Sequence, residues 1–263
     1  MLHSKIGLVL SAGGAKGLAH IGVIKELEKL KMKFHCITGT SSGALVGGLY
    51  SYTGSIKAVE VLANSISKRK WAEMLIPNLR LYGTGIMTGD SVGQFLQLVL
   101  PKNAKIEDCK IPFRCVAADI KTGKQIVFVK GNLIKAIRAS ISLPVTFQPV
   151  KLKNYLLVDG GCLNPAPVDQ AIEMGATKIL LVSTTQPTHN LLIGKATKLN
   201  ILQTYMRNST SELIRHAADN ADITLYPKVQ YIDQLSFWKA REAIKLGEAV
   251  VIKNKKKLRE LQC

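Results

Sequence analysis

Between Phe34 and Ile56 the chain carries no Asp, Glu, Lys or Arg for 23 residues. That is longer than the roughly 20 residues needed to span a bilayer, so the run is either a membrane helix or backbone buried on every side. GTSSG at residues 39–43 and the pair Gly47-Gly48 interrupt it, and it is rich in Ser and Thr. A buried strand FHCITG, a sharp turn and a buried helix account for it, and no transmembrane span is predicted.

The residues before it complete a βαβα unit. An apolar strand IGLVLS leads through a Gly-rich turn into a helix from about Gly17 to Lys31. That helix offers Leu18, Ile21, Ile24, Leu27 and Leu30 to a core, with Lys25, Glu26, Glu28 and Lys29 largely on the other face. Lys5 followed by IGLVLSAGGA superficially resembles a secretory signal. However, Gly13, Gly14 and Gly17 fall where a strand turns into a helix, and the helix needs that strand. Continuous apolar strands joined by helices imply a parallel sheet covered on both faces.

Further on, FRCVAADI and QIVFVK flank KTGK as a hairpin, and NLIKAIRAS reads as a helix stopped before Leu143-Pro144. NYLLVDGG is a strand ending in a turn, PVDQAIEMG a helix and TKILLVST another buried strand. Helices near Asn200–Asn220 and Phe237–Leu261 flank the strand ADITLYP. Lys68–Thr88 and Gln186–Leu199 have weak periodicity and read as mobile or capping loops. No repeat or linker divides the 263 residues, so one domain is expected. Five cysteines (Cys36, Cys109, Cys115, Cys162, Cys263) lack CxxC spacing and read as reduced, buried thiols of a cytoplasmic protein, with no metal site.

Chemistry concentrates at three turns. GTSSG is a GxSxG after a strand and before a helix, the context of a nucleophile elbow: Gly39 and Gly43 let the chain bend so that Ser41 is lifted out of the backbone, with Ser42 opening the helix behind it. AGGAKG at residues 12–17 (Ala12, Gly13, Gly14, Ala15, Lys16, Gly17) resembles a dinucleotide fingerprint, but the acidic residue wanted at the end of the second strand is replaced by GTSSG. In a βαβ unit both turns share one sheet edge, so N–H groups near Gly13, Gly14 and Ala15 can face an oxyanion at Ser41. A serine also needs a base. Asp159, followed by Gly160 and Gly161, emerges at the same edge if its strand joins the sheet in parallel, and partial desolvation makes it a better proton acceptor.

The blocks LVLSAGGAKGLAHIGVIKELE, GTSSGALVGGLY, IRASISLPVTFQPV and LVDGGCLNPAPVDQAIEMGA, spanning most of residues 6–176, resemble the bacterial patatin-like phospholipase family in order and spacing. The resemblance implies a three-layer α/β/α fold with a mainly parallel central sheet. It also implies a lipid acyl hydrolase with a Ser–Asp dyad at Ser41 and Asp159, a glycine-rich oxyanion loop at residues 12–17 with Lys16 at its basic position, no catalytic histidine, no cofactor and no metal. Ala12 stands where many members carry glycine, and Gly161 lies in a motif often written DGA or DGG.

A Ser-Asp-His triad is the internal rival, since His189 and His216 follow Asp159; both read as loop or helix-surface residues, and His20 and His35 as packing or capping residues. A catalytically idle regulatory protein of the same fold is another reading. The charge, 36 Lys and Arg against 18 Asp and Glu, raises a nucleotide- or nucleic-acid-binding protein, yet no zinc finger, RNP-like strand or P-loop is present, and no nucleic-acid partner is expected. Lys68, Arg69 and Lys70 beside Trp71, Met74, Leu75 and Ile76, and KNKKKLR at 253–259, are solvated faces or a peripheral contact with an anionic membrane.

Overall fold

The computed structural model describes residues 4–75, 85–87, 90–186 and 198–262. Strands β1 (Ile6–Leu10), β2 (Cys36–Thr40), β4 (Phe113–Asp119), β5 (Lys124–Phe128), β7 (Val150–Leu152), β8 (Tyr155–Asp159), β9 (Lys178–Val182) and β10 (Ile223–Leu225) form one sheet. Its order is β10-β9-β1-β2-β4-β8-β7, with β5 against β4. The run from β10 to β4 is parallel, while β5, β7 and β8 pair antiparallel. Two short strands, β3 (Gly85–Met87) and β6 (Val145–Phe147), pair apart from it.

Strand residues alternate between two cores, as the pleat requires. Leu8, Leu10, Ile37, Leu180 and Val182 face one side, where α1 (Ala19–Lys29), α2 (Ser42–Thr53), α3 (Ile56–Asn64), α6 (Leu133–Ser140) and α9 (Ala240–Lys253) cover them. Val9, Cys36, Ile179 and Leu181 face the other, under α7 (Val168–Glu173) and Ile214 of α8 (Lys198–Asp219). This is the expected three-layer, mainly parallel architecture. Residues beyond 176 complete it, since β9 pairs with β1 and α9 packs on α1.

That helix pair is built on close backbone approach. A Cβ at Gly22 would lie 1.9 Å from the Ile244 carbonyl oxygen, and one at Gly247 would lie 2.0 Å from that of Ala19. Gly247→Val therefore forces the helices apart, and a loss of about 1–3 kcal/mol or more is expected from the midpoint of urea unfolding.

Several expectations are corrected. Instead of running continuously from Gly17, the first helix begins with a 3₁₀ turn at Gly14–Leu18 before α1. Glu26 is buried rather than on a solvent face, and pairs with Lys29. Lys25 bridges Glu60 of α3 and Glu248 of α9, at 2.9 Å each. The outer face of α1 is thus covered in part by two more helices, a tertiary fact that local periodicity does not carry, while Glu28 and Lys29 are exposed as expected. Within the segment read as a loop, Lys68–Leu75 is a helix, α4, and Gly85–Met87 is β3. Of the second such segment, Lys198 and Leu199 open α8, and residues 187–197 lie outside the described residues. Cys162 is exposed, because it sits in the turn after β8, whereas Cys36 and Cys115 are buried. No described helix is long and apolar enough to cross a membrane.

Candidate active site

Three chain turns converge at the carboxyl ends of β1 and β2. At the end of β2, Ser41 adopts φ 55° and ψ −122°, a strained conformation for a residue with a Cβ. The strain persists because both flanks are fixed. The Ser41 N–H donates to Ser140 Oγ at 2.9 Å, and the Ser140 hydroxyl donates to the Val116 carbonyl at 2.6 Å. On the other flank, a Cβ at Gly43 would lie 2.0 Å from the Leu10 carbonyl oxygen, so only glycine lets the elbow sit against the end of β1. Ser41 stands at the N-terminus of α2, whose unpaired N–H groups favour negative charge.

Asp159 reaches Ser41 by a route other than the expected one. Its strand, β8, is antiparallel to β4, with Ala117 opposite Asp159, while the neighbouring Val116 is opposite Thr40 of β2. Since β5 occupies the other edge of β4, β2 and β8 share one edge, end to end. The two strands therefore run toward each other, and Ser41 and Asp159 meet where both chains leave the sheet.

The Ser41 hydroxyl donates to Asp159 Oδ2 at 2.5 Å. The other carboxylate oxygen, Oδ1, accepts the Gly161 N–H at 2.8 Å, and the Asp159 N–H donates to Ser142 O at 2.9 Å. Both residues are almost fully enclosed, Ser41 at 8% and Asp159 at 7% exposure. Burial raises the Asp159 carboxyl to about 6, against the opposing effect of the Ser41 and Gly161 hydrogen bonds. The result is a carboxylate ionised at neutral pH, more basic than a free one, and bonded to a hydroxyl.

The glycine loop lies beside this pair. A Cβ at Gly17 would meet Ser42 Oγ at 2.1 Å, so loop and elbow pack without a side chain between them. Ala12 is held from two directions: its N–H donates to Pro165 O at 2.8 Å, and its carbonyl accepts from Thr184 Oγ1 at 2.9 Å. Ala15 departs from expectation, because its N–H donates to the Gln234 carbonyl at 2.8 Å and is not free to bind an oxyanion. The expected donor set narrows to Gly13 and Gly14, whose N–H groups have no protein acceptor among the described residues. Lys16 is half-buried; burial and then Arg207 lower its pKa, with Asp233 opposing.

Sequence reasoning missed Ser140, Thr184 and Gln234 as supports. Ser140 lies in the block IRASISLP and Thr184 follows a strand at the same edge, so both had a positional signal. Gln234 lies in an irregular stretch and had none.

No described histidine touches the pair. His20 Nε2–H donates to Ser11 O at 2.9 Å in a buried pocket that lowers its pKa to about 4. His35 Nε2 meets Met174 O at 2.9 Å, and His216, exposed on α8, lies 3.5 Å from Glu212. His189 lies outside the described residues. Replacing His189 and His216 by Ala is expected to leave ester turnover nearly intact, far short of the 10²–10⁴-fold cost of removing a general base. Among the described residues no cluster of His, Cys, Asp or Glu is arranged to hold a metal.

Known proteins resemble this chain over about two thirds of its length. An uncharacterized NTE family protein of Mycobacterium tuberculosis is 34% identical over 179 residues, covering 68% of this chain and 49% of that protein. Lysophospholipase NTE1 of Candida albicans is 33% identical over 180 residues, covering 67% of this chain and 13% of that one. The chain thus matches about half of the mycobacterial relative's length and a small part of the fungal one. Among solved structures, VipD from Legionella pneumophila aligns with a TM-score of 0.48 at 12% identity, covering 97% of this chain and 67% of that one. The patatin-like phospholipase family model matches residues 8–172, a stretch that holds the glycine loop, the elbow and Asp159 together. With that match over more than half its length, the chain belongs to the patatin-like phospholipase family.

Proposed function

We propose that the chain is a serine lipid acyl hydrolase, cleaving carboxylic esters of phospholipids or other acyl lipids, and that residues 1–263 act as one domain. The observation that carries this reading is the buried 2.5 Å hydrogen bond from Ser41 to Asp159, with no histidine beside it among the described residues. Family membership and the name of the fungal relative support a lipid substrate.

Ser41 Oγ attacks the ester carbonyl as its proton passes to Asp159 Oδ2. The carbonyl oxygen becomes an oxyanion facing the N–H groups of Gly13 and Gly14, with the N-terminus of α2 adding positive potential. Collapse of the tetrahedral intermediate expels the alcohol, which takes the proton from Asp159 and leaves an acyl-serine. A water then gives its proton to Asp159 and attacks the acyl carbon. Release of the fatty acid returns the proton to Ser41 Oγ.

Turnover of a p-nitrophenyl ester by the parent, lowered by about 10⁴-fold or more in Ser41→Ala, is the expected result. Equal turnover by both proteins removes Ser41 from the chemistry, and a parent inert on esters and on a lipid panel favours the catalytically idle reading.

A further inference from the structure

The two tryptophans of the chain, Trp71, which is buried, and Trp238, which is half-buried, both neighbour Phe237. Trp71 of α4 packs against Phe237 with ring centroids 4.5 Å apart. The next residue, Trp238, is half-buried and lies beneath Lys68, whose Nζ is 5.6 Å from the ring centre. Lys70 caps Phe95 at 5.8 Å, and Lys239 caps Tyr231 at 5.8 Å. Tyr231, 61% exposed, and Leu235, 39% exposed, extend the apolar part. A cleft of about 390 Å³ opens there, lined by Asn64, Ser67, Trp238, Lys239, Arg241 and Glu242.

This pairing of basic groups with half-buried aromatic rings suits a lipid headgroup layer, where the rings sit at the interface and the ammonium and guanidinium groups meet phosphates. The face is also tied to the catalytic loop. Four residues before Trp238, the Gln234 carbonyl accepts the Ala15 N–H and closes against Gly14.

We infer that the face formed by α4 and residues 231–241 binds the surface of an anionic lipid bilayer, presenting the glycine loop and Ser41 to it. This rests on the acyl-hydrolase reading for why a lipid surface is the partner; binding itself is measured apart from turnover. The basic run near the C-terminus is separate. It follows α9, whose 14 residues place its end about 20 Å from Arg241.

The test is co-sedimentation with vesicles of phosphatidylcholine plus phosphatidylglycerol, against pure phosphatidylcholine, with tryptophan quenching by brominated acyl chains. The parent is expected to bind the anionic vesicles, with the emission of the half-buried Trp238 quenched, that of the buried Trp71 spared, and salt reversing both binding and quenching. The triple variant Lys68→Glu, Lys70→Glu, Arg241→Glu loses roughly 100-fold or more in vesicle affinity. Lys255→Glu with Lys256→Glu loses far less. Absence of anionic-vesicle binding overturns the inference, as do binding without quenching and equal losses in the two charge variants. Binding of duplex DNA as tight as that of the vesicles also overturns it, by marking a general polyanion surface. Quenching needs no variant, so the inference stands or falls even if the triple variant misfolds. Soluble-ester turnover lost in Ser41→Ala, alongside absent vesicle binding, would retain the hydrolase reading and reject this face.

Discussion

Ser41→Ala and Asp159→Asn each lower ester turnover by about 10⁴-fold or more, and the double variant falls no further than either single one. The 2.5 Å contact ties both residues to one proton transfer. Serine without an acceptor keeps its proton and barely attacks, while a carboxylate without the serine has nothing to deprotonate at the right place. Removing either member abolishes the same step, so the losses do not add. Asparagine at 159 is the informative replacement because its amide oxygen still accepts from the Gly161 N–H, preserving the turn while removing the base. Some rate above water remains in all three variants, since the free N–H groups of Gly13 and Gly14 and the N-terminus of α2 are untouched. Losses that multiply in the double variant would show that the two residues act in separate steps. A loss of less than tenfold in Asp159→Asn would assign the base to another group.

How much of this was legible beforehand depended on whether the signal was local. GTSSG specified its own geometry: a strand, a residue forced to positive φ and a helix are encoded within a few positions, and Ser41 falls where the motif puts it. The βαβα unit and the parallel sheet were legible for a similar reason, since strands buried on both faces are apolar throughout. Asp159 could be chosen by its place after a strand, but the direction of that strand could not. Whether β8 joins β4 in parallel or antiparallel depends on β6 and β7 and the turn between β7 and β8, which no hydrophobic period reports. Ala15 shows the same limit at a single atom. Its N–H looks free in the sequence, and only the distant Gln234 carbonyl shows that it is taken. One helix viewed alone has an outside, where Glu28 and Lys29 do lie, but the ion pairs of Lys25 to α3 and α9 and the burial of Glu26 arise only from the packed helices.

The enclosure that makes Asp159 a useful base also costs stability at neutral pH. Burial holds its carboxyl at about 6, against 3.8 for the ordinary group, so between those values the folded chain binds more protons than the unfolded one. Stability from this group is fully present below about 3.8 and is lost as pH rises through about 6. Activity runs the other way, because only the ionised carboxylate accepts the proton from Ser41. The expected kcat/KM profile rises tenfold per pH unit up to about 6 and then levels, leaving turnover about 100-fold lower at pH 4 than on the plateau. Asp159→Asn abolishes that profile and, at pH 7 and above, raises unfolding stability by up to about 3 kcal/mol, a gain that vanishes below about pH 4. Denaturant midpoints of the parent and Asp159→Asn across this range measure the stability difference without substrate. If their gap stays constant with pH, burial does not set the carboxyl's affinity for protons. An activity limb at a quite different pH would then point to another titrating group. If the gap closes as expected while the activity limb sits near 6, one desolvated carboxylate accounts for both, and the same burial that lowers stability supplies the basicity that Ser41 requires.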